Sequence, residues 1–235
     1  MLIGAITPVY NDEEIVGSAI KCFRPFVDKY IALISEIPYY GEPQPPDRTE
    51  EICRSLDVDI IKGRWKKDHE QRNRGLELCS DCDWIFNIDA DELMLPEEVE
   101  AIIKLAKNTK YDAIGVNPEV YWRNVYNVLR PKPTFNPILM TRTKVRFNNV
   151  RNIDSSRYAI CDAQMHHIAW CEPKNIYKKI KTYVHANECK DIEHWYQKNY
   201  LGWKEGDRAI DPMGNSFDVE HKPLPEELRK LLGVV

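Results

Sequence analysis

Apolar runs alternate with amphipathic segments along the first half of the chain. Residues 2–7 form a continuous apolar run typical of a strand buried on both faces, and the apolar positions of residues 15–26 recur with helical spacing. The same pattern predicts further strands at 30–34, 58–61 and 84–88, with helices at 68–79 and from Pro96 onward. Strands separated by helices of this length form βαβ units. The sequence therefore predicts an α/β fold with a mostly parallel sheet flanked by helices.

The pattern changes beyond residue 111. A strand is predicted at 113–116, residues 119–170 are predicted to form short aromatic and basic strands and loops, and an amphipathic helix follows around Ile176 and Ile180. No composition break or flexible linker separates the two parts. We therefore expect a single domain in which residues 1–119 and 120–235 form two halves.

Composition agrees with a globular domain, and charge divides the chain. The 235 residues are 43% hydrophobic, which excludes a disordered or low-complexity chain. The net charge of −4 argues against a polybasic nucleic-acid-binding protein. Residues 1–119 carry 14 basic and 24 acidic side chains, whereas residues 120–181 carry 12 basic and 3 acidic ones. The basic stretch either faces an anionic ligand or offsets the acidic first half.

The seven cysteines and the longest apolar runs bear on cellular location. An odd number of scattered cysteines is typical of reduced thiols, and the Cys79–Cys82 pair has no second pair at zinc-finger spacing. No apolar run approaches the roughly 18 residues that a membrane span needs. These features predict a soluble, cytoplasmic protein without an integral membrane segment.

Candidate chemistry lies at the carboxyl ends of the predicted strands, where open parallel sheets bind their ligands. No G-x-G-x-x-G or G-x-x-x-x-G-K-[ST] motif occurs, which argues against a dinucleotide site and a P-loop. Asp89 and Asp91 follow the strand at 84–88, whereas the other Asp-x-Asp pairs, beginning at Asp57 and Asp81, precede strands. Two carboxylates in one tight turn repel each other unless a cation such as Mg²⁺ or Mn²⁺ neutralises them. The alternative is an exposed acidic turn.

Three segments in the first 120 residues resemble family 2 glycosyltransferases of the GT-A fold. They are Pro8-Val9-Tyr10-Asn11-Asp12-Glu13-Glu14, similar to P-x-Y-N-E-E; Arg72-Asn73-x-Gly75-Leu76, similar to A-R-N-x-G; and Trp84 to Glu92, similar to W-I-l-x-l-D-A-D-E. The resemblance implies a nucleoside-diphosphate sugar as donor and Mn²⁺ or Mg²⁺ as cofactor. It implies metal ligation by Asp89 and Asp91, and donor contacts from Pro8, Val9, Tyr10, Asn11, Arg72, Asn73, Asp89 and Ala90. It also implies that residues 1–119 form the donor-binding half and residues 120–235 the acceptor-binding half with the C-terminal helices.

Two family features have no clear match in this chain. The acidic motif that grips the base and ribose after the second strand has no clear match, and the candidates for its first and last acids are Glu36 and Asp47. The acidic pair that carries the catalytic base in many inverting members is also missing. Position alone suggests Glu119, expected just beyond the carboxyl end of a strand, or Asp154, isolated among basic residues.

In the family that the chain resembles, a late histidine often completes the metal site, and the segment Met165-His166-His167-Ile168 offers a candidate in the second half. Adjacent residues of a strand face opposite sides, so only one of the two rings can reach the metal. We expect His167 to be the ligand, with His166 as the alternative. A purely structural role for the pair is the competing interpretation.

The basic stretch predicts an anionic acceptor, because twelve basic residues exceed what two donor phosphates need. A phosphorylated or lipid-linked glycan, or less readily a hydroxylated base in DNA, would fit. The expected contacts are Arg142, Lys144, Arg146, Arg151 and Arg157. The lysines at 174, 178, 179 and 181 are predicted to form a solvated helix face, with a helix lying on a membrane surface as the alternative.

Two other classes of protein compete with a glycosyltransferase. A nucleotidyltransferase also uses strand-end carboxylates and Mg²⁺, but it usually has a basic, glycine-rich loop after the first strand. A non-catalytic carbohydrate- or nucleic-acid-binding module would not require the acid pair at Asp89 and Asp91. Release of a nucleoside diphosphate rather than pyrophosphate distinguishes the first rival, and metal-dependent donor hydrolysis distinguishes the second.

Overall fold

Four parallel strands joined by helices form the first part of the fold. The structure is a computed structural model that describes residues 1–171 and 173–234, with the side chains of 173–175 outside the described set. The strands are β1 (Ile3–Val9), β2 (Lys29–Ser35), β3 (Asp59–Gly63) and β4 (Trp84–Asn87), and the helices between them are α1 (Val16–Phe23), α2 (Thr49–Ser55) and α3 (Asp68–Leu78). The predicted βαβ units are confirmed. Among the described helices, none is both long and apolar enough to cross a membrane.

Further strands and helices follow β4 in the chain. They are β5 (Glu92–Leu93), α4 (Pro96–Asn108), β6 (Ala113–Trp122), β7 (Asn127–Arg130), β8 (Ile138–Thr141), β9 (Phe147–Asn149), β10 (Asn152–Ile153), β11 (Tyr158–Trp170), α5 (Pro173–Thr182), α6 (Ile192–His194, continued by a π-helical segment Trp195–Leu201), β12 (Ala209–Ile210), β13 (Ser216–His221) and α7 (Glu226–Leu231). Most of these strands extend the sheet, whereas β9 and β10 form a separate two-stranded sheet. The 11-stranded sheet has the order β12-β13-β7-β6-β8-β4-β1-β2-β3, with β11 beside β6 and β5 beside β11.

Two strands of the second half are longer than the sequence predicts. β11 runs for 13 residues beside β6, with register shifts near Cys161 and His167 that interrupt its alternation of apolar and polar positions. β6 continues to Trp122 rather than ending at 116, because its later residues still pair with β11. The expectation that Glu119 follows a strand end is therefore wrong. Glu119 lies within β6.

Apolar side chains cover both faces of the sheet. Trp84 and Phe86 of β4 are buried with α1 on one side, and Trp122 packs with Trp195 and Tyr200 beneath α5 on the other. The seven cysteines are all buried, and none of those described is in a disulfide. A rigid core of this kind fixes the strand ends that carry the polar side chains described next.

Candidate functional site

A cleft of about 1090 Å³ opens at the carboxyl ends of β1 and β4. Its lining includes Pro8, Val9, Tyr10 and Asn11 from the end of β1, the turn Asp89-Ala90-Asp91 after β4, and residues of β11 and α5. Seven of the residues that the family resemblance assigns to the donor therefore share one surface, because Arg72 also lines it.

The acidic turn after β4 is held by two hydrogen bonds between Asp89 and Glu92. The Asp89 N–H donates to Glu92 Oε2 at 2.9 Å, and the Glu92 N–H donates to the Asp89 carbonyl at 3.1 Å. By contrast, Asp57 and Asp81 are exposed and form surface ion pairs with Arg24 and Lys29. Position relative to the strands thus separates the turn in the cleft from the other Asp-x-Asp pairs, as the sequence predicts.

Asp89 is held between two guanidinium groups. Arg72 Nη2 donates to Asp89 Oδ1 at 2.6 Å, and Arg151 Nη1 lies 3.4 Å from Oδ2. Arg72 is 2% exposed and also pairs with Asp68 at 2.8 Å, while Arg151 also contacts the Glu92 carboxylate. Burial alone would raise the pKa of Asp89, but the two arginines outweigh it and lower that pKa. Asp89 is therefore a fixed anion.

Asp91 has a different environment on each of its oxygens. Lys179 Nζ donates to Oδ2, and His167 Nε2 lies 3.5 Å from Oδ1. Oδ1 is buried without a hydrogen-bond partner among the residues described, and so is His167 Nδ1. Burial opposes ionisation of Asp91, but Lys179 and His167 hold its pKa well below the usual range.

Lys179 corrects the prediction of a solvated lysine face. The pattern of α5 places this residue outside the apolar stripe, but α5 packs over the cleft and directs Lys179 inward to Asp91. Lys181 is exposed, as expected, with its ammonium 3.7 Å from the Tyr177 ring centroid. The side chain of Lys174 lies outside the described residues.

The two adjacent histidines of β11 face opposite sides of the sheet. His167 lines the cleft, whereas His166 is 5% exposed, and its Nδ1 lies 3.1 Å from the Tyr121 hydroxyl. Burial lowers the pKa of His166 to about 4, so the ring is neutral at ordinary pH. His166 is therefore a core residue, and His167 is the one placed beside Asp91.

The chemistry of Asp91 and His167 fits a divalent cation. A carboxylate oxygen and an imidazole nitrogen are ligands that Mn²⁺ accepts, and the unpartnered Asp91 Oδ1 is available for one bond. The Asp89 oxygens already accept from Arg72 and contact Arg151. Within the described residues no group of three or more His, Cys, Asp or Glu side chains forms a closed metal site. Ligand phosphates and water would have to complete the coordination.

Asp12 is a cleft residue that the sequence analysis did not single out. Its Oδ2 accepts from the Tyr10 N–H at 3.0 Å, and its own N–H donates to Thr49 Oγ1 at 2.8 Å. Burial raises its pKa to about 6, although the Tyr10 hydrogen bond and Lys179 oppose the shift. The signal was present in the sequence, because Asp12 directly follows Asn11 of the first motif.

Two predicted donor contacts lie outside the cleft. Glu36 is exposed, and its neighbours Ser35 and Ile37 line the cleft instead. Asn73 is committed to β9, since its Nδ2 donates to the Phe147 carbonyl at 2.8 Å and its Oδ1 accepts from the Phe147 N–H at 2.9 Å. Asn73 thus anchors a strand rather than facing a ligand.

Neither candidate base reaches the cleft. Glu119 is 0% exposed and accepts from Arg130 and Lys222, each at 2.5 Å. Burial is outweighed by these cations, so the pKa of Glu119 is lowered. Asp154 is exposed and accepts from the Arg146 N–H at 2.9 Å, away from the cleft lining. The structure therefore places both as fold-stabilising carboxylates.

Of the five basic residues predicted to contact an acceptor, Arg151 alone lines the cleft. Lys144 and Arg157 pair with Asp112 at the amino end of β6. Arg142 lies 4.5 Å from the Trp84 ring centroid, and Arg146 donates to backbone carbonyls of its own loop. The other four side chains make contacts within the fold outside the cleft, so the count of basic residues did not indicate which of them line it.

Comparisons with known proteins agree on the family. The profile described as Glycosyl transferase family 2 matches residues 5–167. An uncharacterized glycosyltransferase of Rickettsia felis is 29% identical over 125 residues, which cover 52% of this chain and 41% of that relative. The chain thus matches less than half the length of that curated relative.

Solved structures confirm the fold. Glucosyl-3-phosphoglycerate synthase from Mycobacterium tuberculosis, solved with Mn²⁺, uridine diphosphate and glucosyl-3-phosphoglycerate, superposes with a TM-score of 0.53 at 13% identity, over 96% of this chain and 88% of that one. TarS of S. aureus gives a TM-score of 0.50 at 12% identity, over 87% of this chain and 44% of that one. The GT-A fold predicted from the motifs is confirmed, and the chain belongs to glycosyl transferase family 2.

Proposed function

We infer that the chain transfers a sugar from a nucleoside-diphosphate sugar to an acceptor hydroxyl, using Mn²⁺ or Mg²⁺. One observation carries this inference: buried Asp91 Oδ1 lacks a described hydrogen-bond partner and lies 3.5 Å from His167 Nε2, in the cleft at the end of β4. The family membership supports the reaction class, and the Mn²⁺ and uridine diphosphate held by the mycobacterial synthase support the ligands.

The polar groups around the acidic turn have distinct roles in this proposal. Asp91 and His167 would hold the metal, which when bound neutralises the donor diphosphate and makes it a competent leaving group. Arg72 and Arg151 keep Asp89 ionised and fixed, so that its carboxylate can accept from a donor hydroxyl. The main chain at Tyr10 and Asn11 would form one wall of the donor site.

The cleft lining also bears on the acceptor. Three basic side chains of the cleft lining could contact an anionic acceptor: Lys132, Arg151 and Lys178. Phe135 and Met213 also line it and are about half exposed, so they offer apolar surface on which a sugar ring can pack. A glycan that carries phosphate satisfies both features, and DNA would enter only as an acceptor.

Product analysis tests the proposed function. The purified chain is incubated with a panel of uridine, guanosine and cytidine diphosphate sugars, with Mn²⁺, with Mg²⁺, and with a chelator. We expect one donor to be hydrolysed slowly to nucleoside diphosphate and free sugar, only when metal is present. Release of pyrophosphate would indicate a nucleotidyltransferase. No turnover and no nucleotide binding with any donor would indicate a binding module.

A further inference from the structure

Lys179 is held in the middle of the cleft by the way α5 is docked. Its ammonium contacts Asp91 Oδ2. One residue earlier, Lys178 Nζ lies 3.4 Å from the Asn11 carbonyl, and the Thr182 carbonyl of the same helix accepts from the Tyr40 N–H at 3.3 Å. These contacts fasten α5 to the loops on the other side of the cleft. The position of the ammonium is therefore set by the fold.

The two carboxylate oxygens of Asp91 face different neighbours. Oδ2 is taken by Lys179, while Oδ1 faces His167. A divalent cation at Oδ1 would lie a few ångströms from the ammonium, and like charges that close in a partly buried site repel strongly. A donor diphosphate would bring the negative charge that this arrangement lacks, and a lysine is a good partner for phosphate oxygens.

We propose that Lys179 is an exchangeable counter-ion: it pairs with Asp91 while the metal is absent and pairs with the donor diphosphate once a metal is bound at Asp91 and His167. This inference rests on the proposed function and adds a residue that makes metal and donor bind together. Metal alone has to compete with the ammonium for Asp91. Metal and diphosphate together provide a partner for every charge.

Direct measurement of Mn²⁺ binding tests the proposal without relying on activity. Free Mn²⁺ is followed by electron paramagnetic resonance, with and without uridine diphosphate, for the unmodified chain, Lys179→Met, Lys179→Arg and Lys181→Met. The last is a matched control, because Lys181 lies on the same helix and outside the cleft lining. We expect Lys179→Met to bind Mn²⁺ alone more tightly, by about five-fold or more. Lys179→Arg and Lys181→Met should stay close to the unmodified chain.

The measurements with uridine diphosphate distinguish failure of this inference from failure of the proposed function. We expect uridine diphosphate to strengthen Mn²⁺ binding less in Lys179→Met than in the unmodified chain, because the released ammonium is missing. Lys179→Met that folds, as judged by its thermal unfolding, yet binds Mn²⁺ alone no more tightly would overturn the counter-ion role. Tighter Mn²⁺ binding in Lys179→Met, with no nucleotide effect in any variant, would support the pairing with Asp91, overturn the exchange to diphosphate, and count against the proposed function.

Discussion

His167 Nε2 lies 3.5 Å from Asp91 Oδ1, although one residue ends a turn after β4 and the other lies near the end of β11. The antiparallel pairing of β5 with β11, which aligns His167 with Glu92, creates this proximity. The register of the sheet therefore brings together His167 and Asp91, which are far apart in the sequence. Several substitutions distinguish a metal-binding pair from a structural one.

Asp91→Asn is expected to lower metal-dependent donor hydrolysis by about 10²-fold or more, because it removes a ligand charge with little change in shape. The variant also leaves the Lys179 ammonium without its partner, so we expect some loss of unfolding free energy, about 3 kcal/mol. Turnover is measured at a temperature where circular dichroism shows the variant folded. Asp81→Asn is the control, since Asp81 is an exposed partner of Lys29.

The two histidines should respond differently to alanine. His167→Ala is expected to raise the Mn²⁺ concentration for half-maximal hydrolysis by roughly ten-fold or more. His166→Ala should leave that concentration unchanged and lower the free energy of unfolding by about 1–3 kcal/mol, because it removes the contact with Tyr121 in the core. An unchanged metal response in both variants would mean that neither histidine binds the metal.

Arg151 and Arg157 offer a matched test of where the basic residues act. Arg151→Met should weaken binding of uridine diphosphate in the presence of Mn²⁺ by about ten-fold, because Asp89 and Glu92 lose a shared partner at the cleft. Arg157→Met should bind uridine diphosphate as the unmodified chain does, since Arg157 pairs with Asp112 at the amino end of β6 and does not line the cleft. Isothermal titration calorimetry gives both affinities. Equal weakening in the two variants would contradict the assignment.

Asp12 predicts a specific dependence of stability on pH. Burial raises its pKa from 3.8 to about 6, so the folded chain holds this proton more tightly than the unfolded chain does. The contribution of Asp12 to the unfolding free energy therefore falls as pH rises from about 4 to about 6 and is constant above that.

Asp12→Asn removes the free-energy cost of ionising this buried carboxyl group. We expect the variant to be more stable than the unmodified chain by roughly 1–3 kcal/mol at pH 7.5, with the difference vanishing below about pH 4. Urea unfolding at the two pH values measures it. A stability difference that is the same at both pH values would show that Asp12 titrates normally.

Local patterns were sufficient to predict the parallel strands and the acidic turn. A buried strand such as β4 is a continuous apolar run, and residues just after it must lie at the carboxyl edge of the sheet. The same local reasoning failed for Glu119, because the apolar run at 113–116 suggested that the strand ends before this residue. The cations that allow Glu119 inside β6 are Arg130 and Lys222, which only the tertiary fold brings close.

Lys179 shows a second limit of sequence patterns. A lysine outside the apolar stripe of α5 is expected to face water, and no spacing indicates that the helix is docked over a cleft. The prediction from net charge failed for the same reason. A count of basic residues contains no information on which of them already pair within the fold, as Lys144 does with Asp112.

Because β6 runs without a break through residues 119 and 120, a gene cut at that boundary would sever a central strand. Each fragment would carry unpaired backbone groups on its exposed strand edge, and such edges favour aggregation. Fusion sites or permuted termini belong instead in the exposed turn at 204–207, where the Asp207 N–H donates to the Lys204 carbonyl at 2.9 Å. The two halves of the chain can therefore be exchanged between relatives only in designs that keep β6 intact.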